Sequence, residues 1–590
     1  MPDEWKGTTF ANSNLLGRGL WSTGLGNLVA EKGSSISTQD LTDLGNAEDY
    51  LRVASNICTL LEVVVATEKE MDISQVFSFS SAVMPIMTVL FNATCPVHYY
   101  SGTSGTLPFS DEQMELLKGL GCNLNQYQAS AAGKSHGNDI VLSAENFVDG
   151  VDAVVQDHFL FIHNTAKIAP SEVLRIRKRM TTPTTTPMAL ARMQRLVGVP
   201  VTFDQHVADE ASASKFYAHL QELSGVQVNP NNNPVCYTTG LAAIASLWFT
   251  LVGEGGADIV MGSTAYGGSS ELTDVVNARA HAFAKYTFDI TGTNPISPAI
   301  QKALDNLADN VEKKHPTTVL MVEIPTNPDM KVPKMEELAA ILDNYQKKTQ
   351  KKVLLLVDTT FSPGSQVFHK IQSVAPDLTT MVFISLSKSV SRGRTTAGTL
   401  VAGPSAEACA LLEKCRASAR MMDTTSRPDQ LYILTQNHEG VAERCEQAYR
   451  NARAVGDSLQ ASVKKHCNGY DMPLAFVTEE QAASGFHTST YSFNLPAVPN
   501  AAPGMNEGLA QRFVDILKAD ASVKPCVSFG QDNGLVYATV PATSTQGAIK
   551  LEDKAKQAVG GVQLVRLSFP PTCDVAHLSA LFDAAVKAVY

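Results

Sequence analysis

Lys388 is the residue of this sequence best placed for covalent chemistry. Ser385-Leu386-Ser387-Lys388 follows the apolar run Thr380–Ser385 (TMVFIS). An amine near a buried strand end is pushed toward its neutral, nucleophilic form and can condense with a carbonyl. A surface lysine is the ordinary alternative for any single case. Asp358-Thr359-Thr360 closes another apolar run, Val353–Val357 (VLLLV), with Asp358 30 residues before the lysine. A carboxylate there needs a donating or positive partner, or else caps a helix. Thr238-Thr239-Gly240-Leu241 puts a glycine where a strand gives way to a helix, so backbone N–H groups can approach an anion. Ala265-Tyr266-Gly267-Gly268 sets a tyrosine among glycines, where its ring can lie on a flat ligand. Each of these two alone reads as a turn or a cap.

The elements that must position these residues form a pattern from about residue 200 onward. A helix is predicted over Leu241–Leu251, then strands at Asp258–Gly262 and Thr318–Glu323, a helix near Met335–Gln350, and strands at Val353–Asp358, Thr380–Ser385 and Gly398–Ala402. Continuous apolar strands alternating with helices predict an α/β fold, a mostly parallel sheet covered on both faces. Ligands of such sheets sit beyond the carboxyl ends of the strands, so the polar clusters above converge on one site. From about 405 the order changes to long helices over 404–419 and 429–462, strands at Ser489–Asn494 and Gln563–Ser568, and a last helix over 575–589, which predicts a smaller α+β domain. The first 200 residues hold a strand running into a helix (Gln75–Phe91), a short buried strand (Phe159–His163) and a linker-like Thr181–Pro187 (TTPTTTP). Three regions follow: 1–200 with no assigned role, 201–404 as the α/β domain and 405–590 as the α+β domain. No exact repeat is present. Ser80–Ile86 echoes Thr238–Ile244, a likeness short enough to arise by chance.

Val357–Gly403 resembles the cofactor-binding core of the Cys/Met-metabolism pyridoxal-phosphate enzymes, with Asp358-Thr359-Thr360-Phe361, Ser385-Leu386-Ser387-Lys388 and Val401-Ala402-Gly403 in the family's order. Tyr237–Ile244 is similar to its SSGMAAI segment, Tyr266-Gly267-Gly268 to its YGG, and Glu323–Pro328 to its ESPSNP. Ser528-Phe529-Gly530 and Val565–Ser568 are similar to its SLG and RLS. The resemblance implies the type I pyridoxal-phosphate transferase fold, with pyridoxal 5′-phosphate held by Lys388, which also moves protons. It implies that Asp358 pairs with the pyridine nitrogen, Tyr266 stacks on the ring and Asn327 contacts its oxygen. Thr239, Gly240, Leu241, Thr360, Ser385 and Ser387 fall at the remaining cofactor-binding positions, and Ser528 and Arg566 at those that meet the substrate carboxylate. The activity it implies is γ-replacement on an activated homoserine by a thiol or another nucleophile, as in the cystathionine γ-synthases of transsulfuration. A γ-lyase, a carbon–carbon-forming γ-substitution and a non-catalytic regulator are the alternatives. It also implies a homodimer or homotetramer.

Three departures stand out. The family's YxRxxNPT segment, which reaches a neighbouring subunit's phosphate, belongs just before Phe216–Leu223, yet Phe203–Glu210 has neither its Tyr nor its Arg. Where the family has GHSD after the lysine, Ser391-Arg392-Gly393-Arg394 stands, and either Arg392 or Arg394 supplies the missing phosphate charge or the pair faces solvent. The long first region is similar in length to the N-terminal region of fungal cystathionine γ-synthases.

Composition narrows the class from the other side. The chain has 590 residues, 44% hydrophobic and 18% charged, with a net charge of −11. That supports a large core and argues against binding to a nucleic-acid backbone. No apolar run approaches the roughly 18–20 residues of a membrane span. The 10 cysteines form no CxxC and the histidines no HxxxH, so no metal site is expected. Dilute cysteines and an N-terminus without a secretory pattern give a cytoplasmic expectation.

Overall fold

The computed structural model describes every residue except 1–17, 46–50, 103–106, 128–136, 146–149, 202–205, 310–314, 499–505, 526–527, 532–535 and 540–562. The predicted α/β region forms a seven-stranded sheet from β7 (Val235–Tyr237), β8 (Ala257–Gly262), β9 (Phe283–Phe288), β10 (Thr317–Glu323), β11 (Lys352–Asp358), β12 (Thr379–Ile384) and β13 (Gly398–Ala402). Its order is β7-β13-β12-β11-β10-β8-β9. The strands from β12 to β9 are mutually parallel, while β13 runs antiparallel to both its neighbours. The apolar runs are unbroken because the sheet is covered on both sides. Along β11, Leu354 and Leu356 face the core under helices Gly240–Gly253 and Ala406–Met421, while Val353, Leu355 and Val357 face Ile296–Asp309 and Met335–Thr349.

The first region also has a sheet. β1 (Val76–Ser78), β2 (Val97–Tyr100), β3 (Leu124–Gln126), β4 (Ile140–Ser143), β5 (Ala153–Gln156) and β6 (Phe159–Ile162) form six strands in the order β1-β6-β5-β4-β2-β3. A buried ion pair between Arg177 and Glu62, 2.6 Å, ties its helices to β1, with Phe77 and Phe79 against the guanidinium. Its apolar side is continuous with the core of the central sheet, and Phe91 stacks on Phe249 at 5.4 Å between ring centres. The linker-like threonines differ from expectation, since Thr181, Thr182, Thr184 and Thr186 are buried. The chain runs through the interior, and Thr185 caps a helix that begins at Thr186 with Pro187 in its first turn.

The C-terminal region is α+β as expected. β14 (Thr490–Asn494), β15 (Val523–Pro525), β16 (Val536–Thr539) and β17 (Leu564–Ser568) form a four-stranded sheet ordered β14-β17-β16-β15. Helices Val441–His466, Leu509–Lys518 and Val575–Val589 close over it around Phe513, Phe582 and Leu567. The helix expected over 429–462 is two, Pro428–Asn437 and Val441–His466, because Gly440 turns the chain with φ +68°.

Candidate active site

β10, β11 and β12 end side by side, with Glu323 in register with Asp358 and Asp358 with Phe383. The chain leaving β12 carries Lys388 into the interior, where its Nζ donates to Ser528 Oγ at 2.7 Å and lies 5.1 Å from the centre of the Phe529 ring. Phe529 in turn stacks on Phe361 at 4.7 Å. Gly530 is needed here. Its φ is +85°, and a Cβ would lie 2.4 Å from Ser389 N. The C-terminal region is thus pressed onto the lysine loop.

A second cluster surrounds the start of helix Gly240–Gly253. Thr239 Oγ1 accepts from Ala242 N at 3.0 Å and caps the helix. Helix geometry leaves the N–H groups of Gly240 and Leu241 without intrahelical partners, turned toward any anion at that end. A Cβ on Gly240 would sit 3.3 Å from Ser385 Oγ, and one on Gly398 would sit 2.4 Å from Gly240 Cα. Small residues therefore keep this cradle narrow. Thr360 links it to the carboxylate: its N–H donates to Asp358 Oδ1 and its Oγ1 accepts from Ser385 N, both at 2.9 Å. The Ser387 hydroxyl is engaged by the Ala397 backbone, accepting at 3.0 Å and donating at 3.1 Å, so Ser385 is the hydroxyl beside the helix start.

The third cluster links Arg566, Asn327, Glu323 and Tyr266. Arg566, on β17, donates from Nη2 to Asn327 Oδ1 at 2.9 Å, and its buried Nε has no hydrogen-bond partner among the described residues. Burial lowers this guanidinium to about 10, and the Glu323 charge opposes the shift. Glu323 accepts from Tyr266 N at 2.6 Å and Asn327 N at 3.1 Å. Burial, then the neighbouring Asp358 carboxylate, pushes Glu323 up to about 8. Burial raises Asp358 as well. Arg52, from the first region, is buried and donates from Nη2 to the Tyr266 hydroxyl at 2.9 Å and from Nη1 to Lys178 O.

The residues singled out from the sequence thus gather at one set of strand ends. Two were missed. Glu323 opens the Glu-Ile-Pro-Thr-Asn-Pro segment, and its strand-end position gave the signal. Arg52 lies in Tyr50-Leu51-Arg52, a Tyr-x-Arg spacing outside the stretch searched for it. Of that stretch, Phe203, Asp204 and Gln205 lie outside the described residues. Arg394 is exposed and Arg392 half-buried.

These groups fit a phosphate-bearing pyridine aldehyde. A buried amine stands ready for the carbonyl, a strand-end carboxylate for the ring nitrogen, and a capped helix start with a hydroxyl for the phosphate. The unsatisfied Nε of Arg566 is a donor for a second anion, and the missing side chain of Gly240 leaves the helix start open.

Comparison with known proteins agrees. Residues 218–570 match the family described as Cys/Met metabolism PLP-dependent enzyme. Among solved structures, a cystathionine gamma synthase from Xanthomonas oryzae pv. oryzae, in complex with aminoacrylate and cysteine, is 20% identical over 65% of this chain and 86% of its own, with a TM-score of 0.47. A cystathionine gamma-lyase from yeast is 18% identical over the same shares, with a TM-score of 0.50, a likeness of fold. No curated protein matches the chain. The matched span covers more than half of the sequence and every position from Thr239 to Arg566 discussed above, and on that ground the chain belongs to the Cys/Met metabolism family of PLP-dependent enzymes.

Proposed function

We propose that this enzyme carries out γ-replacement on an activated homoserine, with a thiol or another nucleophile added at Cγ. The observation that carries the reading is the meeting of Lys388, Asp358 and the incompletely satisfied Arg566 at one set of strand ends, an amine, a carboxylate and a carboxylate receptor around one space. When bound, pyridoxal phosphate supplies an electron sink for negative charge developing on the substrate carbons. Lys388 would hold it and Tyr266 would lie against its ring. Asp358 would keep the proton on its nitrogen, and Asn327 would contact its oxygen.

The chain's own residues then do the following work. Arg566 clamps the substrate α-carboxylate through a planar fork, with the Ser528 hydroxyl beside it, and so fixes which bonds at Cα face Lys388. Lys388 Nζ takes the proton from Cα. Further proton movement at Cβ, within reach of the same amine, lets the γ substituent leave with its bonding electrons. The nucleophile gives up a proton and bonds to Cγ, and returning protons to Cβ and Cα restores the amino acid. The burial of Lys388, beneath the half-buried ring of Phe529 and the close approach of Gly530, limits water at the amine while this happens.

The direct test incubates the loaded enzyme with acetyl-, succinyl- and phosphohomoserine, with and without cysteine, and follows products by mass spectrometry. Consumption of one ester with formation of a thioether only when cysteine is present supports the reading. Release of a keto acid and ammonia at an undiminished rate in the presence of cysteine would make γ-elimination the activity instead.

A further inference from the structure

The two large sheets of this chain share one plan. Removing one central parallel strand from β7-β13-β12-β11-β10-β8-β9 leaves the order and directions of β1-β6-β5-β4-β2-β3: two antiparallel pairings at the β1 or β7 edge, and parallel pairings across the rest. The match extends to single hydrogen bonds. Ser80 N donates to Thr182 O at 3.2 Å, and Thr238 N to Thr424 O at 2.9 Å. Ser81 Oγ caps Met84 N at 3.0 Å as Thr239 Oγ1 caps Ala242 N at 3.0 Å. The short echo between Ser80–Ile86 and Thr238–Ile244 therefore marks equivalent places in two copies of one design.

The copies face each other reciprocally. Helix Met84–Asn92, after β1, is gripped at its end by Arg279, just past the helix that follows β8, which donates to Leu90 O at 2.8 Å. Helix Gly240–Gly253, after β7, meets the helix that follows β2: a Cβ on Gly253 would lie 3.4 Å from Leu116 and one on Gly119 3.5 Å from Val252. Equivalent helices supply Phe91 and Phe249 to the stacked pair between them. Each unit offers the other the same pair of helices, which is the reciprocity of a two-fold interface. The first copy has no lysine loop. Where residues 385–397 join β12 to β13, only Asp157 and His158 join β5 to β6, in a tight turn with φ +49° and +65°.

We infer that the first region is a built-in second subunit, a copy without its own lysine that completes the cofactor site of the same chain through Arg52. This inference rests on the cofactor assignment above. Arg52 stands ahead of β1, brings a permanent positive charge to the Tyr266 hydroxyl, and supplies within one chain the phosphate-binding charge absent from Phe203–Glu210. A dimer of this chain is then not required to build the site.

The test uses the full chain and two variants, Arg52→Ala and Lys388→Ala. Titration with pyridoxal phosphate should show affinity in Arg52→Ala reduced by about ten- to hundredfold, the worth of one charge-assisted hydrogen bond. Pyridoxal, which lacks the phosphate, should bind the variant and the parent almost equally. Should Arg52→Ala fail to fold, Arg52→Lys keeps the charge and most of the stem and is expected to show a smaller loss of the same kind. Co-expressing Arg52→Ala with Lys388→Ala chains should restore no tight site, since each site draws its arginine from its own chain. Recovery of tight binding in the mixed protein would overturn the inference, because it would place Arg52 in a neighbouring chain's site. Unchanged affinity in Arg52→Ala would also overturn it while leaving the cofactor assignment intact. Failure of the parent chain itself to take up pyridoxal phosphate would defeat both.

Discussion

On the proposed function, Arg566 carries the specificity for the substrate carboxylate. It lies on β17 with Asn327 on one nitrogen and no partner for the buried Nε among the described residues, so a half-buried cation is left with a donor that a carboxylate can fill. Arg566→Lys keeps the charge but removes the fork. Steady-state kinetics should show KM for the amino-acid substrate rising about tenfold or more, with cofactor absorbance unchanged. Asp358→Asn should act differently, retaining the cofactor while kcat falls by about a hundred- to a thousandfold, because a neutral amide no longer holds the ring nitrogen charged. A near-normal rate would reduce Asp358 to a partner of Thr360. Glu323 gives a pH signature in the cofactor-free protein. Burial raises its folded-state value from the ordinary 4.5 to about 8. Across that window the folded carboxyl keeps a proton that the unfolded chain has lost, so stability is full below the lower value and falls as pH rises toward the upper. Urea unfolding of Glu323→Gln should show a flatter dependence over the same range. An identical slope would assign it to other groups.

The helices that join the two sheets set the next scale. Phe249 sits on helix Gly240–Gly253, whose N-terminus forms the cradle, and is almost wholly buried against Phe91. Phe249→Ala should cost about 3–5 kcal/mol in denaturant unfolding, the usual loss for emptying an aromatic site in a core. A change below about 1 kcal/mol would mean that the sheets touch without supporting each other. At this scale the sequence was readable where pattern and chemistry coincide. The strands Asp258–Gly262, Val353–Asp358 and Gly398–Ala402 and the final helix were found almost to the residue, because long apolar runs in a sheet covered on both faces leave few alternatives. It was opaque where partners lie far apart in the chain. Nothing local to Thr181–Pro187 tells that its threonines are buried, since its composition is that of a linker and its partners Ser55, Ser78 and Ser80 lie about a hundred residues or more away in the chain. Arg52 was hidden for the same reason, its partner Tyr266 being 214 residues away. Lys388, Asp358 and Tyr266 were legible because strand ends of a parallel sheet point to a site before its geometry is known.

On the proposed reading, three regions of the molecule contribute to one site. The first region brings Arg52, the central sheet brings Asp358, Lys388 and the helix start, and the C-terminal region brings Arg566 and, just ahead of its last strands, Ser528. All of this presupposes that Lys388 is the amine that takes the cofactor. The most direct measurement is to load the protein with pyridoxal phosphate, reduce it with borohydride, digest it and locate the bound phosphopyridoxyl group by peptide mass spectrometry. The account predicts one modified peptide, carrying the label on Lys388, and none in Lys388→Ala. A label on another lysine, or a Lys388→Ala protein modified to the same extent as the parent, would contradict it.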